Sequence, residues 1–182
     1  MVHWVVMRRT LLWMCLSGLV VACASRAVTP SSAPHKIGPM PGALAPNASF
    51  VNHQGETVEI GEMQGDVVLL NFWATWCGPC VEEMPSLQAL HERFEPKGLR
   101  IAAVSVDQTS DVGFKFARDQ QLTMEILHDP GAKGAAVFQV RSIPLTFLID
   151  RAGKVTSRVR GAGDWESAEM ISLVQRALDG ES

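Results

Sequence analysis

The chain carries little charge of either sign. Asp, Glu, Lys and Arg make up 19% of its 182 residues, and the net charge is −3. No basic stripe runs through it, which excludes a nucleic-acid-binding protein. No phosphate-cradling glycine loop and no internal repeat appear. The apolar run Leu11 to Ala22 is too short to span a bilayer comfortably. Cysteine is scarce: there are 4, and one pair, Cys77 and Cys80, has C-x-x-C spacing. A zinc site would need a second ligand pair, and none is spaced for it. What is there is 47% hydrophobic, the composition of a globular domain with extensions.

The chain is organised around Asn71-Phe72-Trp73-Ala74-Thr75-Trp76-Cys77-Gly78-Pro79-Cys80. The apolar run Val67 to Trp73 predicts a buried strand. A short turn follows, and Cys77 opens a helix. Cys77 and Cys80 are three apart, so the helix sets them on one face, close enough to bridge. At the helix N-terminus, unpaired N–H groups and the macrodipole favour an anion. A thiolate is such an anion, and it is the reactive form. Cys80 lies one turn deeper. The pair reads as an attacking and a resolving thiol, the chemistry of dithiol–disulfide exchange. Trp76 is expected to give the site an apolar wall. Gly78 and Pro79 suit the first helical turn. Pro85 is expected to kink the helix.

The N-terminus reads as a targeting signal. Arg8 and Arg9 precede the apolar run, which ends in Val20-Val21-Ala22-Cys23. This resembles a bacterial lipoprotein signal: aliphatic residues, a small residue, then the cysteine the pattern requires. The resemblance implies cleavage before Cys23, lipidation of Cys23, and loss of Cys15 with residues 1–22. An ordinary signal peptide cut elsewhere and an uncleaved anchor are the alternatives. Residues 23–47 are rich in Pro, Ser, Ala and Gly and read as a lipidated start and flexible linker, with the domain over 48–182. An exported dithiol works in an oxidising compartment and needs continual re-reduction.

Within the domain, Phe50-Val51 and Thr57 to Ile60 predict a hairpin turned at Gly55. In the helix Cys80 to Phe94, Val81, Met84, Leu87, Leu90 and Phe94 share the face toward the sheet, and Gly98 stops it. Leu99 to Val106 predicts a second central strand, hence a parallel βαβ unit with a right-handed crossover. A helix over 111–121, a short strand over 122–127, a turn at His128 and a helical turn over 132–138 follow. Leu145 to Asp150 and Val155 to Arg160 form an antiparallel hairpin. Asp164 is expected to cap a last helix, with Trp165 as a core residue. Glu83 lies three residues after Cys80 on the same helix. Its carboxylate can exchange protons with the deeper thiol or raise its pKa. A solvated carboxylate, as at Glu82, is the alternative.

Two separated motifs carry a family resemblance. Trp76-Cys77-Gly78-Pro79-Cys80 with Glu83 and Pro85 is similar to the TlpA/ResA-like branch of exported thioredoxins. Ile143-Pro144 before an apolar strand resembles the cis-proline loop of that superfamily, although Leu145 stands where threonine is common. The resemblance covers residues 48–180. It implies an α/β thioredoxin fold: a central mixed sheet flanked by helices, with an N-terminal hairpin and an inserted helix-strand segment. It implies that Glu83 is partly buried beside the cysteines, where thioredoxins proper have a buried aspartate at the place of Asn71. It implies that the Ile143 backbone binds the substrate chain as a short strand. Trp76, Gly78, Pro79 and Pro144 would support that binding.

The expected activity is therefore that of a thiol-disulfide oxidoreductase reducing protein disulfides through Cys77 and Cys80. Cytochrome c maturation is one service of such relatives. No cofactor beyond the Cys77–Cys80 disulfide and no metal is expected. The expected partners are disulfide-bearing proteins and a membrane electron donor. The expected setting is a monomer, lipid-anchored in the bacterial cell envelope and facing the periplasm. Copper-binding relatives combine a distant histidine with C-x-x-x-C spacing, which is missing here, so His128 is read as a turn residue. The alternatives are a disulfide-donating oxidase and a non-enzymatic lipoprotein that binds metal or a partner on the same scaffold.

Overall fold

The computed structural model describes residues 38–181. The signal over 1–22, the lipidation at Cys23 and most of the linker lie outside the described residues. β3 (Val67–Trp73) is buried at every position, as a continuous apolar run should be when both sheet faces are covered. β4 (Leu99–Ser105) lies parallel beside it, in register from Val67–Leu99 to Trp73–Ser105. Between them α1 (Gly78–Phe94) makes the crossover and runs through Pro85 without a break. Gly98 ends this unit at φ 92°, a left-handed conformation that glycine adopts without strain.

β1 (Ser49–Val51) and β2 (Thr57–Glu59) form the hairpin. α2 (Ser110–Asp119) and β5 (Glu125–His128) follow β4, and then the short α3 (Lys133–Val137). β6 (Leu145–Ile149), β7 (Val155–Arg160) and α4 (Ala168–Asp179) complete the domain. The sheet order is β2-β1-β5-β4-β3-β6-β7. The pairs β3–β4 and β4–β5 are parallel, whereas β3–β6 and β6–β7 are antiparallel. This is the expected mixed α/β sheet.

Alternation along β3 feeds two cores. Val67, Leu69 and Trp73 meet Leu87, Leu90 and Phe94 of α1 and Val174 of α4. Val68, Leu70 and Phe72 enter the other core, where Phe72 lies 5.6–6.2 Å, centroid to centroid, from the rings of Phe50, Phe138 and Phe147. Gly134 packs against Phe50 there. A methyl at Gly134 would overlap the Phe50 ring, 2.8 Å from Cζ. Gly134→Ala is expected to cost about 1–3 kcal/mol through overpacking. A urea midpoint equal to the wild type would show that this contact is loose.

Several boundaries differ from the sequence expectation. β5 begins at Glu125, not Leu122. Leu122 N–H closes the end of α2 on Ala117 O, and Gln88 Oε1 on α1 accepts Thr123 N–H at 2.9 Å, so these donors face away from a ladder. His128 is not a turn residue: it is the buried last residue of β5, paired with Ser105 and Val51. Asp164 does not cap the last helix. Its carboxylate and carbonyl accept Glu166 N–H and Ser167 N–H in a separate turn, and Ser167 caps α4 through Met170 N–H. Part of the segment expected as a free linker is tied down: Gly42, Ala43 and Ala45 exchange backbone hydrogen bonds with Gly153 and Val155. No helix among the described residues is long and apolar enough to cross a membrane.

Candidate active site

Strand register assembles the site. Phe72 pairs with Leu145 and Asn71 with Thr146, so β6 starts where β3 ends. The loop before β6 is thereby brought to the turn that follows β3. Its Ile143–Pro144 bond is cis, Pro144 is buried and Ile143 is half-buried. Asp107, just past β4, fixes the other side of the turn. Its carboxylate accepts Thr75 N–H at 3.2 Å, Thr75 Oγ–H at 2.8 Å and Ser105 Oγ–H at 2.7 Å. The chain therefore enters Trp76-Cys77 from a braced position.

Cys77 is the N-cap of α1, with Gly78 and Pro79 as the first two helical residues. Its sulfur accepts Cys80 N–H at 3.3 Å, which satisfies one of the donors a helix start leaves open. Pro79 has no N–H to leave open. The two cysteines form a disulfide, with their Cα atoms 5.2 Å apart. Cys77 retains 8% exposure and Cys80 none. The outer sulfur is thus the one an incoming disulfide can reach. Trp76 stands 70% exposed, a large apolar side chain held in solvent beside the pair.

Glu83 is buried, with 2% exposure. Asn71 Nδ2–H donates to Oε1 at 2.8 Å, while Gly163 N–H and Trp165 Nε1–H donate to Oε2 at 3.0 and 3.2 Å. Asn71 Nδ2 also donates to Thr146 Oγ1 at 2.9 Å. Burial pushes the Glu83 carboxyl above the ordinary glutamate range, and the donors from Gly163, Asn71 and Trp165 only partly oppose this. A carboxyl placed this way keeps its proton to higher pH than a solvated one and can act as a proton acceptor or donor within the site. It is therefore not the solvated carboxylate that the sequence left open as an alternative.

The structure brings Trp76, Cys77, Gly78, Pro79, Cys80 and Glu83 together on the β3–α1 junction. The paired Phe72 and Leu145 bring the Ile143–Pro144 loop alongside. Four supporting residues escape a reading of the sequence: Asp107, Thr146, Gly163 and Trp165. The sequence marks Trp165 only as core. It is buried, but its indole N–H reaches a carboxylate 82 residues earlier in the chain. A tryptophan set directly behind a glycine-rich break is the one available signal.

Comparison with known proteins agrees with this geometry. Residues 41–158 match the AhpC/TSA family. The chain is 34% identical over 128 residues to the thiol-disulfide oxidoreductase ResA of Bacillus cereus, covering 70% of this chain and 74% of the relative. To the ResA of Bacillus subtilis it is 32% identical over 120 residues, covering 66% and 67%. Among solved structures, a Chlorobium tepidum chain assigned as thiol:disulfide interchange protein DsbE superposes with a TM-score of 0.72 at 28% identity, covering 77% of this chain and 99% of that one. A Bacteroides thetaiotaomicron chain assigned as a protein disulfide isomerase gives 0.70 at 26% identity, covering 79% and 94%. The chain belongs to the AhpC/TSA family, and within it to the thioredoxin-fold thiol-disulfide oxidoreductases.

Proposed function

We propose that the protein works as a reductant of protein disulfides outside the cytoplasm, tethered to a membrane by lipid on Cys23. The single observation that carries the reductive cycle is the contrast between the two sulfurs. Cys77 sits at a helix N-terminus and retains 8% exposure, and Cys80 is sealed behind it. The Cys77 thiolate attacks one sulfur of a substrate disulfide. A Cys77–substrate disulfide forms, and the other substrate sulfur leaves as a thiolate. Cys80 loses its proton to Glu83 and attacks Cys77 Sγ. The Cys77–Cys80 bond forms, and the second substrate thiolate leaves. Two electrons have passed to the substrate. A membrane electron donor restores the dithiol, and no cofactor beyond the disulfide is needed.

The Ile143 backbone, next to the cis-proline, lays the substrate chain down as a short strand. Gly78-Pro79 between the cysteines, as in reducing thioredoxins, favours reduction. The resemblance to the TlpA/ResA-like branch supports cytochrome c maturation as one service of this reductant, through reduction of haem-binding cysteines. The deciding measurement is the reduction potential of the Cys77–Cys80 couple. A value near about −270 mV, as in thioredoxin, is expected. A value near about −120 mV would make the protein a disulfide donor instead.

A further inference from the structure

The ground around the cis-proline loop is charged on one side only. Residues 139–149 and 155–163 contain Arg141, Arg158 and Arg160 and no Asp or Glu. The chain as a whole is acidic, at −3. Register fixes where two of these arginines lie. Arg160 pairs with Leu145, the residue that follows cis-Pro144, and Arg158 pairs with Phe147. Residues two apart on a strand share a face, so the two guanidinium groups lie on one side of β7. Gly161 N–H donates to Pro144 O at 3.0 Å, which ties the end of β7 directly to the loop.

Neither arginine has a carboxylate partner. Among the described residues the ion pairs are Arg100–Glu125 and Lys115–Asp119. Arg158 lies over the Phe147 ring, 5.6 Å from its centroid. Its Nε and Nη1 are buried there without an acceptor. Burial and the neighbouring Arg160 both disfavour its charge. The elements packed on this face do not supply the missing anion. Residues 38–48 carry no charge and α3 carries Lys133, while at the turn Ile60–Met63 the Glu59 carboxylate is taken by Asn47 and Ser49 and that of Glu62 by Glu59 N–H. Asp129 is buried, with both oxygens taken by Gly134 and Ala135 N–H. A guanidinium that is held in place and lacks a counter-charge gains most from one brought by a partner.

β7 is also an edge strand. Among the described residues, the N-terminal arm pairs with it only as far as Val155, through Gly42 and Ala43. No backbone partner among the described residues takes the outer edge from Ser157 to Arg160, beside the place where a substrate chain would lie.

We propose that Arg158 and Arg160 form a recognition surface for an acidic segment of the substrate polypeptide, so that the preferred disulfides have Asp or Glu within a few residues of the attacked cysteine. The proposal rests on the disulfide-exchange reading above and names a substrate class for it. An extended chain crossing Ile143 advances about 3.3 Å per residue. Acidic side chains a few residues from the cysteine would therefore meet Arg160 first and Arg158 next.

The test uses the full-length protein in its reduced form and two synthetic peptides. Each peptide carries the same disulfide and the same residues beside it. One is flanked by Asp and Glu, the other by Lys. Oxidation of the Cys77–Cys80 dithiol to its disulfide, with release of two peptide thiols, is followed at low and high salt. The acidic peptide is expected to react about three- to tenfold faster at low salt, with the preference shrinking as salt screens it. R158E/R160E is expected to reverse the preference. R158Q/R160Q, which avoids the charge reversal should that variant fold poorly, is expected to abolish it. A neutral small disulfide, hydroxyethyl disulfide, is expected to oxidise the wild type and the folded variants at equal rates. Equal rates for the two peptides in the wild type, or a preference that survives in both variants, would overturn the proposal. Failure of hydroxyethyl disulfide to oxidise the wild type would instead overturn the exchange chemistry on which it rests.

Discussion

Cys77→Ser is expected to lower disulfide exchange by more than about a thousandfold, because the hydroxyl cannot ionise near neutral pH and replaces the more exposed sulfur of the Cys77–Cys80 pair. The fold should survive. Cys77 caps α1 by accepting Cys80 N–H, and serine is among the best N-caps, so the cap is kept or improved. Against the reduced wild type, which like the variant has no Cys77–Cys80 bond, a loss of activity without a loss of stability therefore isolates the chemistry. Cys80→Ser has a different outcome. Attack by Cys77 still occurs, but nothing resolves the product, so the protein accumulates bound to its substrate through one disulfide. Non-reducing electrophoresis and intact mass report that adduct directly. If Cys80→Ser trapped nothing and kept full activity, the two-thiol cycle would be wrong. If Cys77→Ser trapped the substrate instead, the roles of the two sulfurs would be exchanged.

The parts of this site that are legible in the sequence are the parts set by local rules. Val67 to Trp73 is apolar without alternation, so a buried strand is the only comfortable reading. Cys77 and Cys80 lie within one helical turn, so their proximity needs no tertiary information. Pro144 at the start of an apolar strand calls for an explanation, and it has one in the cis bond. The residues that escape notice all depend on register or on long loops. Thr146 meets Asn71 only because β6 runs antiparallel to β3 in one register. Asp107 braces Thr75 only because β4 ends level with β3. Gly163 and Trp165 reach Glu83 across about half the domain, and no periodicity encodes that. His128 defeats a local reading for the same reason. Its neighbours Asp129-Pro130-Gly131 do make a turn, but pairing with Ser105 and Val51 draws the histidine into the sheet.

Glu83→Gln is expected to slow turnover by about a hundredfold wherever deprotonation of Cys80 limits the rate, and to flatten the pH dependence of that step. The replacement fits the pocket. The carbonyl of the introduced amide can keep Gly163 N–H and Trp165 Nε1–H, which in the wild type share Oε2. The amide NH2 then faces Asn71. By turning its side chain over, Asn71 can present Oδ1, which is buried and has no partner. An aspartate in place of Asn71 would offer no such second face, since a carboxylate has no N–H to give to Glu83. The pH dependence of stability has a definite sign. Burial raises the Glu83 carboxyl above its usual 4.5, so over the window that starts there and ends at the raised value the folded state holds the proton more tightly than the unfolded one. Stability linked to Glu83 is therefore complete below that window, falls as pH rises through it, and is flat above it. Glu83→Gln removes this loss, so its stability relative to the wild type should climb across the same window. Paired denaturation curves at several pH values measure the difference directly, with the other titrating groups cancelling. Trp165→Phe supplies the complementary case. It removes one donor that lowers the Glu83 pKa and should move the wild-type transition to higher pH. A Trp165→Phe transition at the wild-type pH would show that the indole packs against the site without tuning it.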